Sequence, residues 1–374
     1  MAKADIWHFE RKELAEKFIE YLNDSLTNRL TLIAPRRKGK TEFLLFDLAP
    51  AAEGAGFDVI YASLWANIDA PHKAVLEALQ AADVAKRKKQ SITRKVLTTA
   101  VNKLKVDALG VGAELEFADK PEIAGGDDMA KIDALITKLS RGRKTKLLLL
   151  IDEIQHLGTD KSFMPMTYAL RTTLDKLKSV AVVYSGSSRS GIQRMFHHKG
   201  QPFFESTTDV DLPDLKKGFV EFMARTFLDV TKRKVSPRSL WTQFKRLDYS
   251  PYYVREALKQ IAVEPRLGIK IAVDRVIEAV ALRNDYEGLW ERLNPLDKLL
   301  IRRIANGAGK SLHTEESLKT FQGELKGGRK VTRTLVGKRL QRMSEMSLVS
   351  STDRGVYQLE LPGFSEWIRT QEKD

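Results

Sequence analysis

Two short stretches carry side chains that could handle a triphosphate. The first reads Ala34-Pro35-Arg36-Arg37-Lys38-Gly39-Lys40-Thr41, directly behind the apolar run Leu30-Thr31-Leu32-Ile33 and ahead of the helix-like Glu42-Phe43-Leu44-Leu45-Phe46. It fits the phosphate-binding pattern G-x-x-x-x-G-K-[ST] except at its first glycine. In that pattern backbone N–H groups at a helix N-terminus cradle phosphate oxygens, the lysine reaches the β- and γ-phosphates, and the hydroxyl holds Mg²⁺. Pro35, Arg36, Arg37, Lys38, Gly39, Lys40, Thr41 and Glu42 are therefore expected around the phosphates, with Thr41 on the metal. Ala34 lacks glycine's freedom of backbone angle, so the loop is expected to be slightly strained there or to use a permitted conformation. A G-K-T triplet alone would also suit an ordinary basic β–α turn; the strand before it and the helix after it favour the phosphate loop.

The second stretch is Lys146-Leu147-Leu148-Leu149-Leu150-Ile151, which ends in Asp152-Glu153. A continuous apolar run without alternation predicts a strand buried on both faces of a parallel sheet. Asp152 at its carboxyl end can complete a Mg²⁺ shell, and Glu153 can orient or deprotonate an attacking water. A third run, Val180-Ala181-Val182-Val183-Tyr184, breaks into Ser185-Gly186-Ser187-Ser188-Arg189-Ser190-Gly191, expected as a polar loop at a strand end where ligands of open α/β sheets gather. Ser187 or Ser185 could sense the γ-phosphate or position water. Arg189 or Arg194 could stabilise charge on this or a neighbouring subunit's nucleotide, although solvated arginines in a turn of small residues are the plainer reading. The catalytic set expected is Glu153, Lys40, Ser187 and Arg189.

Composition bounds what surrounds these residues. A chain of 374 residues with 43% hydrophobic content can build two or three domains with real cores. No apolar run approaches the length of a membrane-spanning helix, and the N-terminus lacks the apolar core of an export signal, so a soluble cytoplasmic protein without a membrane partner is expected. Zero cysteines exclude disulfides, thiol chemistry and cysteine-ligated zinc, and the six histidines show no metal spacing. A formal net charge of +14 favours a polyanionic partner.

The positive charge is concentrated. An insertion at about 85–128 begins with Lys86, Arg87, Lys88 and Lys89 and carries no acid from 86 to 105; it reads either as a phosphate-contacting surface or as a solvated amphipathic helix followed by a strand-like segment at 106–117. Near the C-terminus, Arg329, Lys330, Arg333, Lys338, Arg339 and Arg342 lie on a segment whose Val336, Leu340 and Met343 recur at helical spacing. Helix candidates at 295–305 and 314–325 precede it and a hairpin pattern follows. That order is a winged helix-turn-helix, in which the third helix enters the major groove of duplex DNA, though such modules also dock proteins. Between core and tail, 213–284 reads as helical throughout, with Arg255 either able to swing onto a nucleotide when this bundle closes or a surface arginine.

Over nearly its whole length the chain resembles the archaeal-type ATPases of the STAND branch of AAA+-like P-loop proteins, relatives of the origin-recognition initiators. The resemblance rests on Phe9-Glu10-Arg11-Lys12-Glu13-Leu14, the Pro35 to Thr41 loop, Ile151-Asp152-Glu153-Ile154-Gln155, Ser185-Gly186-Ser187-Ser188, Ser250-Pro251-Tyr252-Tyr253 and the winged-helix tail. It implies an α/β nucleotide-binding core at 1–213, a helical lid at 214–285 and a winged helix at 286–374. It also implies that the segment with Phe9 and Arg11 packs near an adenine, making the nucleotide ATP. The departures are Ala34 and the sequence Asp248-Tyr249-Ser250, where a glycine-rich turn would be expected. Two functions follow. One is an ATP-dependent DNA-binding ATPase whose nucleotide sets lid and oligomer state; the other is a signalling or defence switch whose winged helix contacts proteins. An enzymatically silent protein with ATP as structural ligand is a third. The charge balance favours DNA.

Overall fold

The computed structural model describes residues 5–24, 28–88, 90–93, 95, 97, 100, 126–141, 145–325, 330–353, 355–361 and 363–371. Most of the basic insertion, including Lys89 and the 106–117 segment, lies outside the described residues, as does Arg329. The chain divides into two compact units. Met1–Ala34, Lys40–Ser187 and Gly191–Leu212 form one; Pro35–Gly39, Ser188–Ser190 and Pro213–Asp374 form the other.

The first unit is a parallel sheet of β1 (Arg29–Ile33), β2 (Phe57–Ser63), β3 (Lys146–Asp152), β4 (Val180–Gly186) and β5 (Thr208–Asp211), in the order β2-β3-β4-β1-β5. The apolar runs make this sheet because it is covered on both faces: from Leu147 onward every residue of β3 is buried, as is all of β4. Placing β4 between β1 and β3 puts the connections that follow these three strands at one edge of the sheet, where the order switches. The register is direct, with Ile33 beside Gly186 and Ile151 beside Tyr184. Strand β4 continues through Ser185 and Gly186, which sequence reading placed in a loop; Ser185 is paired with Leu32 and fully buried. The helix after β1 runs as Lys40–Glu42, widens into a π-helical stretch Phe43–Leu48 and resumes as Ala49–Gly54. Such widenings are rare and are frequent at functional sites.

The second unit opens with four helices, Lys217–Thr231, Pro237–Arg246, Pro251–Val263 and Ile269–Arg283. Ser250 caps the third through Tyr253 N–H, and Pro251 fills its first turn, where a missing N–H costs nothing. Then come Pro295–Ala305, Glu315–Glu324 and Arg333–Glu345, capped by Asn294, Thr314 and Thr332. The hairpin β6 (Val349–Asp353) and β7 (Val356–Leu359) follows, with a bridge from Lys310 to Val356. No helix among the described residues is long and apolar enough to cross a membrane.

Candidate nucleotide site

At the carboxyl end of β3 the polar side chains of the first unit converge on two carboxylates. Asp152, 1% exposed, accepts from Thr41 Oγ1 at 2.7 Å and from the Tyr61 hydroxyl at 2.9 Å on one oxygen, and from Ser185 Oγ and the Glu153 N–H on the other. Glu153 follows with φ 59, a left-handed backbone that costs a glutamate about 1 kcal/mol or more and persists only where surroundings over-determine it. Its Oε2 accepts from Ser187 Oγ at 2.6 Å and from Gln155 Nε2, and Gln155 also donates to Ser187 at 3.2 Å. Gly186 lets Gln155 approach: a β-carbon there would stand 2.6 Å from Gln155 Oε1 and from Ile192 Cδ1. Burial and the Asp152 charge beside it raise the Tyr61 phenol well above its ordinary value, so Tyr61 acts as a donor to Asp152.

The loop after β1 is divided. Lys40, 4% exposed, donates Nζ to the Ala34 carbonyl at 2.8 Å within the first unit. Left-handed backbone occurs at Arg37 (φ 65) and Gly39 (φ 88) but not at Ala34. Of the two alternatives expected at the missing glycine, slight strain or a permitted conformation, the loop takes the second. Arg37 and Lys38 belong to the second unit, and their side chains are held within it by Tyr252, Tyr253, Asp214 and the Asp248 carbonyl. With these side chains engaged, the groups the two residues leave toward a phosphate are their backbone N–H groups. Arg36 and Pro35 line a cavity of about 340 Å³ in that unit, with Lys310, Glu360 and Arg369.

The N-terminal segment is tied to the helix after the loop. His8 Nε2 lies 2.8 Å from Asp47 Oδ1 and its Nδ1 lies 3.9 Å from Glu42. Burial opposes the charged ring, but the hydrogen bonds and charges of Asp47 and Glu42 outweigh it and raise His8 to about 9. Phe9 and Arg11 are half-buried in this segment, and Arg11 immediately precedes the helix Lys12–Asn23. Arg189 falls in the second unit at the start of the helix Arg189–Phe196, where Glu360 accepts the Ser190 N–H at 3.2 Å. Burial raises the Glu360 carboxyl, opposed by these N–H groups and the Arg189 charge. Arg255 lies half-buried on Pro251–Val263.

The basic helix is not uniformly available. Lys330, Arg333, Lys338 and Arg342 are exposed, whereas Arg339 is pulled in by Asp297, which is 3% exposed: Nε donates to Oδ1 at 2.6 Å and Nη2 to Oδ2. Arg339, expected among the nucleic-acid contacts, is engaged by Asp297 in this structure. Helical spacing explains it, since Arg339 projects roughly 40° from Met343 on the edge of the buried stripe, while Lys338 and Arg342 project away. In the insertion, Lys86 donates to the Lys138 carbonyl at 2.8 Å, Arg87 pairs with Asp83 at 2.7 Å and Lys88 is exposed.

Tyr61, Gln155, His8 and Asp47 received no role from sequence. Tyr61 lies on β2, which the apolar runs do not mark; Gln155 stands in the quoted strand-end motif without a role, and His8 and Asp47 lack a pattern that marks them.

With this geometry in place, solved structures supply the frame. The Walker-type ATPase PABY2304 of Pyrococcus abyssi superposes with a TM-score of 0.61 at 17% identity, covering 97% of this chain and 96% of its own. The Aeropyrum pernix ORC2 protein, in its ADPNP–ADP complexes, gives 0.54 at 15% identity, covering 97% and 95%. The fold is that of the AAA+ P-loop ATPases. Within it β1 leads into the Pro35–Thr41 loop and β3 carries the acidic pair Asp152 and Glu153. No family model matches the chain, and no curated protein matches it by sequence.

Proposed function

We propose that the protein binds ATP with Mg²⁺, hydrolyses it, and uses the nucleotide state to control a grip on double-stranded DNA. The single observation that carries the reading is the 2.7 Å contact of Thr41 with Asp152 beside a Glu153 fixed by Ser187 and Gln155. Thr41 and Asp152 fit a magnesium ion: the donors are one hydroxyl and one carboxylate, and Mg²⁺ ordinarily takes one or two carboxylates plus substrate phosphates. When bound, the ion would neutralise charge on the phosphates.

The chain's own residues divide the remaining work. Lys40 exchanges the Ala34 carbonyl for phosphate oxygens. Glu153 accepts the proton of the attacking water, with Ser187 and Gln155 holding its carboxylate in place and Ser187 standing next to the γ-phosphate. Phe9 and Arg11 border the adenine, and Arg255 is the candidate for reporting the nucleotide to the helical bundle. Lys330, Arg333, Lys338 and Arg342, with Lys86 to Lys88, contact DNA phosphates, and copies of the chain assemble as nucleotide and DNA dictate. The test is ATP turnover in wild type against Glu153→Gln, with DNA binding titrated against salt with and without ATP. Turnover should fall by about 10²-fold or more while ATP binding persists. An unchanged rate would remove the role given to Glu153, and salt-insensitive DNA binding in both nucleotide states would remove the DNA reading.

A further inference from the structure

The crown of the phosphate loop, Pro35–Gly39, belongs to the second unit, and the contacts of two side chains account for it. The Arg37 guanidinium lies against both Tyr252 and Tyr253, 4.7 and 5.0 Å from their ring centroids, and Nη1 donates to the Tyr253 hydroxyl. The Arg37 carbonyl accepts from Ser250 Oγ at 2.9 Å. Lys38 Nζ donates to Asp214 Oδ1 at 2.6 Å and to the Asp248 carbonyl, 5.7 Å from the Tyr249 ring.

Both partners in this contact are held in left-handed backbone without glycine: Arg37 at φ 65, Asp248 at φ 49 and Tyr249 at φ 53. Asp248 and Tyr249 thus take the conformation of the glycine turn they replace. The Asp248 carboxylate accepts the Gly363 N–H at 3.0 Å, and Tyr249 packs on Trp241 and Phe244 at 5.8 and 5.5 Å. Unfavourable backbone survives where contacts over-determine it, and it gathers at ligand clamps and switches.

We infer that the 248–253 turn is a clamp that fixes the backbone of the phosphate loop, and that Arg37 is a positioning residue for nucleotide binding. It acts by presenting the loop's N–H groups and does not touch phosphate. The inference rests on the proposed ATP reading. A planar guanidinium lying against two rings is not replaced by an ammonium, so Lys at this position loses the grip. Glycine accepts the left-handed angle without the grip, and so separates conformation from clamping.

The test is binding of fluorescent ADP with Mg²⁺, turnover, and amide hydrogen exchange at 35–41, in full-length wild type, Arg37→Gly, Arg37→Lys and Tyr253→Phe. Arg37→Gly and Arg37→Lys should each weaken ADP affinity by about tenfold with turnover at saturating ATP little changed, because preorganisation of the loop is what is lost. Exchange at 35–41 should quicken without nucleotide. Tyr253→Phe removes one acceptor and should weaken binding about threefold, and the double variant should be no worse than Arg37→Gly alone because the two act as one contact. Wild-type affinity and exchange in Arg37→Gly, full function of Arg37→Lys, or additive effects would overturn the clamp. A loss confined to turnover would overturn it in favour of direct phosphate contact. If wild type itself fails to bind ADP, the ATP reading falls, and exchange alone decides: quickened in Arg37→Gly upholds the clamp, unchanged rejects it.

Discussion

The acidic end of β3 and the basic helix Arg333–Glu345 treat charge in opposite ways. At β3 two carboxylates, half-buried or deeper, are tied by short hydrogen bonds from Thr41, Tyr61, Ser185, Ser187 and Gln155. On the helix the cations are numerous and mostly exposed, and only Arg339 has been drawn into a buried pair. In the first region the contacts that would serve the proposed function are also those that hold the side chains in place. In the second they separate, residue by residue, according to distance from the apolar stripe. Charge density in a sequence therefore marks a surface, whereas constraint marks a site.

The strongest way to break this comparison is to exchange neighbours on the helix. Arg339→Ala strands the buried Asp297 carboxylate and should cost about 3 kcal/mol of unfolding free energy, read by urea denaturation. Lys338→Ala should stay within about 0.5 kcal/mol of wild type in the same assay. DNA binding should reverse the ranking: Lys338→Ala with Arg342→Ala should lower the slope of log affinity against log salt by about two, and folded Arg339→Lys by none. A stable Arg339→Ala protein with a reduced salt slope would place Arg339 among the contacts after all.

Next in size is Gly186→Ala, at the junction of β4 with the acidic cluster. Its β-carbon would collide with Gln155 and Ile192, and overpacking of this kind costs about 2 kcal/mol. Thermal denaturation should show the loss, and turnover should fall with it, since Gln155 is one of the two restraints on Glu153. Stability lost with turnover intact would uncouple the two even at β3.

Much of this was legible because the relevant residues sit where periodicity speaks. Unbroken apolar runs announced β1, β3 and β4, and a residue pair at a strand end is placed by the strand. The boundary of β4 misled because Ser185 and Gly186 look like loop residues, yet Ser185 is buried by a hydrogen bond to Asp152 that no one-dimensional pattern encodes. Strand β2 passed unnoticed, and Tyr61 with it. The engagement of Arg37 and Arg339 was hidden for a common reason. A cation's partner is set by tertiary contact, with Tyr252 and Tyr253 in one case and Asp297 in the other, far away in sequence.

A smaller effect sharpens the comparison through pH. His8 is held charged to about 9 against an ordinary 6.5 by Asp47 and Glu42. Its folded pKa is raised, so its stabilising contribution is complete below pH 6.5 and is lost as pH rises through about 9. The melting temperature of wild type should drop over that window by more than that of His8→Gln. Parallel curves would show that His8 is not held charged in the folded chain, and that this part of the first unit behaves like the exposed helix.

The smallest effect belongs to Ala34. Its backbone is not left-handed, while the two left-handed positions of the loop are Arg37 and Gly39. Ala34→Gly therefore relieves nothing in the folded chain and enlarges the freedom of the unfolded one, which should destabilise by about 0.7 kcal/mol. Nucleotide affinity should stay at the wild-type level, because the Ala34 carbonyl that receives Lys40 is backbone and survives the change. A gain in affinity on Ala34→Gly would instead mean that the loop must pass through a left-handed angle at residue 34 to close on phosphate. The substitution thus distinguishes a loop already in its working conformation from one that must rearrange.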